Sequence, residues 1–407
     1  MAAEGLLRPP STHVRRIWAA ACVLALMVQV LAIAWNWRFY QYDFRAYYFG
    51  PQLARTDQDP YSERAMLDAC RAAGLADNTH SFLYPPHMLV AFAPVSWLPF
   101  RAAYFAWLLL EVSALLLVAR ATLRNGPTLS GLTVLALGFN GSLAASLRAG
   151  QVGLVTAALV AVGVELWQRE RADGFVAAVT AAALPKFWPG ALLVWGAIQR
   201  RRTALFACAS GCAILLLVNG LDHWLWPEYS RSFSAAARSL ASWGAASGPQ
   251  NGSLMNFCFS LMGAGGSSAW LLWLLLAVAV AGATMAAIWR SGVSNLAVSS
   301  AACLLGLLLL LPRVMIYEWC IAMPSMALVM SRCLSARARL LVLGLSLFPG
   351  LYLRRYLFHV DIAVPAFGFR ALWTFTNLWT VTALWAAAVR HLTRAVEPAP
   401  ASVVVSV

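Results

Sequence analysis

Apolar runs of helix-spanning length alternate with short polar connectors along most of the chain. The first run, Ile17 to Trp35, follows Arg8, Arg15 and Arg16. It is long enough to cross about 30 Å of hydrocarbon as a helix. No small-residue cleavage site precedes Trp35, so the pattern predicts an uncleaved first helix with a cytoplasmic N-terminus. Residues 36 to 84 then turn polar and predict an extracytoplasmic loop, with a short helix beginning at Asp59-Pro60. Within it, Asp57-Gln-Asp59 has the form of a DxD metal tripeptide, but reads better as a helix cap. The piece that follows, residues 85 to 98, is apolar yet too short to cross, which predicts a re-entrant element packed in protein.

Further runs predict spans at 102–119, 129–147, 152–168, 173–184, 187–199, 203–220, 269–289, 295–311, 317–331, 340–353 and 369–389. With the first helix this gives an all-α polytopic bundle of about 12 transmembrane helices, both termini cytoplasmic. Charge supports the assignment. Arg120 with Arg124, Arg169 with Arg171, Arg200 to Arg202, Arg332 with Arg337 and Arg339, and Arg390 with Arg394 all fall on the cytoplasmic side; Arg354 and Arg355 fall outside. A second extracytoplasmic loop covers 221–268, and its Gly and Ser content predicts a mobile segment. Residues 1–400 form one membrane domain, and 401–407 a short tail.

Composition agrees. The 407 residues are 61% hydrophobic and 11% charged, against about 25% charged for soluble domains. The net charge of +14 is the basic excess of cytoplasmic loops, and no RNA-binding signature, basic aromatic repeat or phosphate loop points to nucleic acid. Cys208 and Cys212 lie one turn apart without a nearby His or carboxylate, so no metal site is predicted. Cys70 and Cys258 are the cysteines expected outside the cytoplasm, and a bridge between them is open.

Chemistry concentrates at the outer face. Asp43 lies in Tyr40-Gln41-Tyr42-Asp43-Phe44-Arg45-Ala46-Tyr47-Tyr48, where a partly desolvated carboxylate suits general-base work on a hydroxyl. The plainer reading is an aromatic interfacial anchor with a solvated Asp. Lys186, the one lysine in the chain, stands in Leu184-Pro-Lys-Phe-Trp-Pro189; it either meets an anion or snorkels. Arg148 and Arg313 end other runs, and three separated cations near a carboxylate suit a phosphate-bearing lipid. Tyr47, Tyr84, His87, Gln151, Tyr317 and Glu318 complete the candidate substrate-binding set, although a lone His after Pro-Pro is more often a structural hydrogen bonder. Glu111 and Glu165 fall within spans and are expected to pair locally.

The series Asp43-Phe-x-x-Tyr47-Tyr48, Asp59-Pro60-Tyr61, Tyr84-Pro85-Pro86 with Leu98-Pro99, Arg148-x-Gly150-Gln151, Pro185-Lys186 and Pro312-Arg313 with Tyr317-Glu318 resembles glycosyltransferase family 87. The resemblance implies the GT-C membrane fold and mannosyltransferase chemistry. It also implies a polyprenyl-phosphate sugar donor, a lipid or glycan acceptor, no cofactor, and a bacterial inner-membrane location with an extracytoplasmic site. On that resemblance Asp43 matches the base, and Arg148, Lys186 and Arg313 would hold the donor phosphate. The family often has Tyr-Asp where this chain has Tyr317-Glu318, and Lys-Pro where it has Pro185-Lys186-Phe187, which bears on donor and acceptor identity. A transporter or flippase is the rival from another class; it needs charged residues along a midplane path, whereas these cluster at one face.

Overall fold

The computed structural model describes residues 12–76, 79–126, 129–199, 202–245, 252–262, 267–292, 295–335, 337–339, 341–342 and 375–394. The expected span at 340–353, Arg354, Arg355, the start of the 369–389 span, Arg8 and the 401–407 tail lie wholly or almost wholly outside them. Among the described residues every regular element is helical. In chain order these are α1 (Thr12–Trp35), α2 (Tyr42–Arg55), α3 (Glu63–Ala72), α4 (His87–Ser96), α5 (Phe100–Asn125), α6 (Leu129–Asn140), α7 (Ser142–Ala149), α8 (Gly153–Gln168) and α9 (Ala172–Ala183). They continue with α10 (Ala191–Gln199), α11 (Arg202–Leu225), α12 (Pro227–Ala245), α13 (Leu254–Met262), α14 (Ser267–Ser291), α15 (Leu296–Leu310), α16 (Met323–Arg332) and α17 (Thr376–Arg394). Two 3-10 turns, Trp188–Gly190 and Ile316–Ala322, precede α10 and α16.

Three described segments are long and apolar enough to cross a membrane: Phe100–Asn125, Leu205–Leu225 and Ser267–Ser291. Shorter apolar helices such as Gly153–Gln168, Ala172–Ala183 and Leu296–Leu310 pack among them. On α14, Leu271, Leu274, Leu275 and Val278 stay exposed. That spacing makes one apolar stripe facing outward, the inverse of a soluble helix and what lipid requires.

Several expected elements are subdivided. The run 129–147 breaks at Gly141, whose φ of −144° and ψ of −99° no helix accommodates, giving α6 and α7. The run 187–199 starts with a 3-10 turn at Trp188-Pro189, since Pro189 lacks the N–H that a helix interior uses. The run 317–331 is likewise part 3-10, with Pro324 near the start of α16.

About half of the polar stretch 36–84 is helix, in α2 and α3. Fully buried Arg45 donates to the carbonyls of Arg38 and Ala76, both at 2.6 Å, strapping the two ends of the stretch together. Helix α3 begins three residues later than Pro60 suggests. Its N-cap is Ser62, which accepts from the Ala65 N–H; Asp59 instead accepts from Tyr61 N–H at 2.9 Å and from Ser232 Oγ at 3.2 Å. Asp59 therefore orders the turn before the helix and does not cap it. The 221–268 stretch also contains helix: α11 runs on to Leu225, and α12 and α13 follow. Cys70 and Cys258 are both buried, and no disulfide joins them.

Helix α4 is ten residues long, about 15 Å at 1.5 Å per residue, half of what a span needs. Its Met88, Leu89, Phe92 and Ser96 are buried. This is the short, protein-packed element expected from residues 85 to 98.

Candidate active site

Helix α2 presents Asp43 in its first turn. Its buried face is aromatic: Phe44 and Tyr47 have no exposure, and Tyr48 has 7%. Tyr47 stacks on Phe92 of α4 at 4.5 Å and meets Trp107 of α5 edge-on at 5.2 Å, while Phe44 stacks on Trp107 at 5.5 Å. These aromatics hold the helix inside protein; they do not float it at a membrane interface. Rigid placement of the first turn follows, because each large ring has stacked or edge-on neighbours on several sides.

A directed hydrogen-bond chain reaches the carboxylate. Val152 N–H donates to Tyr47 Oη at 3.4 Å, and the Tyr47 and Tyr84 hydroxyls lie 2.8 Å apart. Tyr84 donates to Gln151 Oε1 at 3.2 Å, and Gln151 Nε2 donates to Asp43 Oδ2. An ionised carboxylate can only accept, so Gln151 turns its NH2 toward Asp43, its Oε1 takes the single Tyr84 proton, and Tyr47 is left to donate to Tyr84. Gln151 thus orients one carboxylate oxygen without neutralising it.

Gly150 makes this meeting possible. It ends α7 at φ +71°, and a Cβ there would come within 2.9 Å of Gln41 Cβ and 3.0 Å of Phe44 Cβ. Only glycine lets α7 and α2 approach this closely in a left-handed turn.

Two cations come from other segments of the chain. Lys186 follows the Pro185 break after α9 and pairs with Glu318 at 2.8 Å, with side-chain exposures of 13% and 11%. Its Nζ also lies 5.3 Å over the Tyr317 ring. Glu318 Oε2 accepts from Met315 N–H at 2.8 Å, so the 3-10 turn fixes the carboxylate that fixes the ammonium. Arg313 donates to Met315 Sδ at 3.3 Å. Burial raises the Asp43 carboxyl above its ordinary value, while His80, the Gln151 hydrogen bond, Lys186 and Arg313 pull it back.

Two candidates stand apart. Arg148 donates to Tyr40 Oη at 3.1 Å, its guanidinium lies over that ring at 5.1 Å, and its carbonyl accepts from Gln41 N–H at 2.7 Å. It secures the start of α2. His87 faces Asp222 at 2.6 Å through Nδ1 and the Leu184 carbonyl at 3.1 Å through Nε2. It ties α4 to α11 and to the segment carrying Lys186, the structural role that a lone histidine most often has. Glu165 pairs locally, with Arg124 and Arg169, whereas Glu111 accepts from Gln41 Nε2 at 2.8 Å.

Sequence reading missed Gln41 and His80. Nothing local marks Gln41, whose partners come from residues 111 and 148. His80 is exposed and edge-on to Tyr42 at 6.0 Å, and its position after Thr79 carries no periodic signal.

Residues 82–312 match the family model of glycosyltransferase family 87. The chain belongs to glycosyltransferase family 87. The matched stretch carries Tyr84, His87, Arg148, Gln151 and Lys186; Asp43, Tyr47, Arg313, Tyr317 and Glu318 lie outside it and join the site through the fold. No curated protein and no solved structure matches the chain. As a family member it is a membrane glycosyltransferase, which implies a sugar donor and an acceptor.

Proposed function

We propose that this glycosyltransferase moves a hexose, mannose in the first instance, from a polyprenyl-phosphate sugar to a lipid or glycan acceptor. The reaction takes place at the extracytoplasmic face of the bacterial inner membrane and inverts the anomeric centre. The observation that carries this reading is a partly buried Asp43 carboxylate, oriented by Gln151, with Lys186 and Arg313 near enough to act on its charge.

In the proposed step the acceptor hydroxyl oxygen attacks the anomeric carbon as Asp43 takes its proton. The bond from that carbon to the phosphate oxygen breaks, and polyprenyl phosphate leaves with the electron pair. An ionised phosphate needs no general acid, so one carboxylate suffices where hydrolases use two. Lys186 and Arg313 stabilise the charge that grows on the leaving phosphate. Arg148 contributes to donor binding from the Tyr40 side. Tyr84 and Tyr317 line the sugar path, Tyr47 supports Tyr84, and Glu318 holds Lys186 until phosphate shares it. His87 is assigned to holding the Lys186 segment.

Mass spectrometry of envelope glycolipids from cells with and without the gene tests the reading. A hexose-bearing glycolipid should vanish without the gene while its one-hexose-shorter precursor accumulates. An unchanged glycolipid profile would overturn the proposal.

A further inference from the structure

Gln41, the residue before α2, is non-glycine yet left-handed, at φ 55° and ψ 44°. Such a conformation persists only where its surroundings over-determine it. Here both halves of the residue are tied. Its N–H donates to the Arg148 carbonyl at 2.7 Å, and its side-chain Nε2 donates to Glu111 Oε2 at 2.8 Å. Gln41 and Glu111 both have zero exposure.

Helix α5 also grips the facing turn of the same junction. Trp107 lies four residues before Glu111, one turn away on the same face. Its Nε1 donates to the Gly150 carbonyl at 3.0 Å, and its ring stacks on Phe44. One face of α5 thus holds Gln41, two residues before Asp43, and Gly150, one residue before Gln151. Glu111 Oε1 and Gln41 Oε1 are buried without a hydrogen-bond partner.

We infer that Glu111 is a positioning residue, which acts through Gln41 and, with Trp107, sets the Asp43 carboxylate against Gln151. The inference rests on the reading of Asp43 as the base. Glu111 touches no substrate in this account. Its hydrogen bond ties the Gln41 side chain to α5, and that tether holds the left-handed turn where it aims the first turn of α2.

The test uses the full-length protein in lipid nanodiscs, with polyprenyl-phosphate mannose as donor probe and lipid extract from the deletion strain as acceptor. In Glu111→Leu, kcat should fall about 10- to 100-fold, the scale of a small misplacement of a reacting group. KM for the donor and the melting temperature should stay close to wild type. Glu111→Gln keeps an acceptor oxygen and should recover most of the loss. Gln41→Gly allows the left-handed turn without strain but removes the side chain, so it should lower kcat comparably. Adding Glu111→Leu to Gln41→Gly should then cost little more. Hydrogen exchange over residues 41–48 should quicken in Glu111→Leu.

Wild-type kcat in Gln41→Gly, or additive losses in the double variant, would overturn the inference. Gln41→Gly keeps it testable even if Glu111→Leu fails to fold. The outcomes separate from those of the Asp43 reading. Full activity in Asp43→Asn sinks that reading; an inactive Asp43→Asn beside a normal Glu111→Leu sinks only this positioning role.

Discussion

The two ends of α8 hold carboxylates in opposite ways. At its start, Gln151 turns a neutral amide to Asp43, with Lys186 and Arg313 at one remove. At its end, Glu165 bridges Arg124 and Arg169 directly, and those arginines are 54% and 52% exposed. The Glu165 cluster spends its charge on solvated partners, as surface networks do. Asp43 keeps its charge, oriented but not cancelled. Carboxylates of equal formal charge thus differ in availability, and the difference lies in what their hydrogen-bond donors carry.

Replacing Asp43 should break this contrast hardest. Asp43→Asn keeps shape and loses the proton acceptor, so steady-state transfer from polyprenyl-phosphate mannose should drop about 10²- to 10⁴-fold. Expression should hold, because Arg45, the nearest candidate for a structural partner, is already committed to the carbonyls of Arg38 and Ala76.

Lys186→Gln comes next. Loss of a charge-assisted contact of about 1.5–3 kcal/mol lowers kcat/KM for the donor about 10- to 100-fold. A snorkelling lysine would tolerate the change, so unaltered kcat/KM in a donor titration would return Lys186 to that role.

The pH dependence is a smaller, sharper effect. The base works only ionised, so transfer should be lost as pH falls through the Asp43 pKa, and burial sets that acid limb above the ordinary value of 3.8. Lys186 and His80 both pull the carboxyl down, so Lys186→Gln and His80→Gln should each move the limb upward. A pH–rate profile reads both; a downward move would contradict the electrostatics. At the other end of α8, Glu165→Gln should change stability by about 0–1 kcal/mol and leave transfer unaltered.

Much of the site was legible because polar residues at the ends of apolar runs have few other reasons to be there. Asp43, Tyr84, Gln151, Lys186 and Glu318 were all marked that way. Their pairing was not legible. Gln151 reaches Asp43 across 108 positions and Lys186 reaches Glu318 across 132, separations that no local period encodes. Helix α2 was obscured because its inner face is aromatic and its ends are charged, which reads equally as an interfacial loop. The Gln41 turn was invisible, since glutamine has no preference for a left-handed conformation and acquires it here from residues of α5 and α7. The helical bundle followed from hydropathy alone, whereas breaks such as Gly141 depend on packing.

The most direct test separates binding from chemistry at Asp43. Wild type and Asp43→Asn, each in nanodiscs, are loaded with polyprenyl-phosphate mannose, and donor affinity and single-turnover transfer are measured on the same sample. The account predicts equal affinity and a collapsed transfer rate in the Asn variant. Equal transfer rates in the two proteins would contradict it and move the search for the base to Glu318 or Asp59.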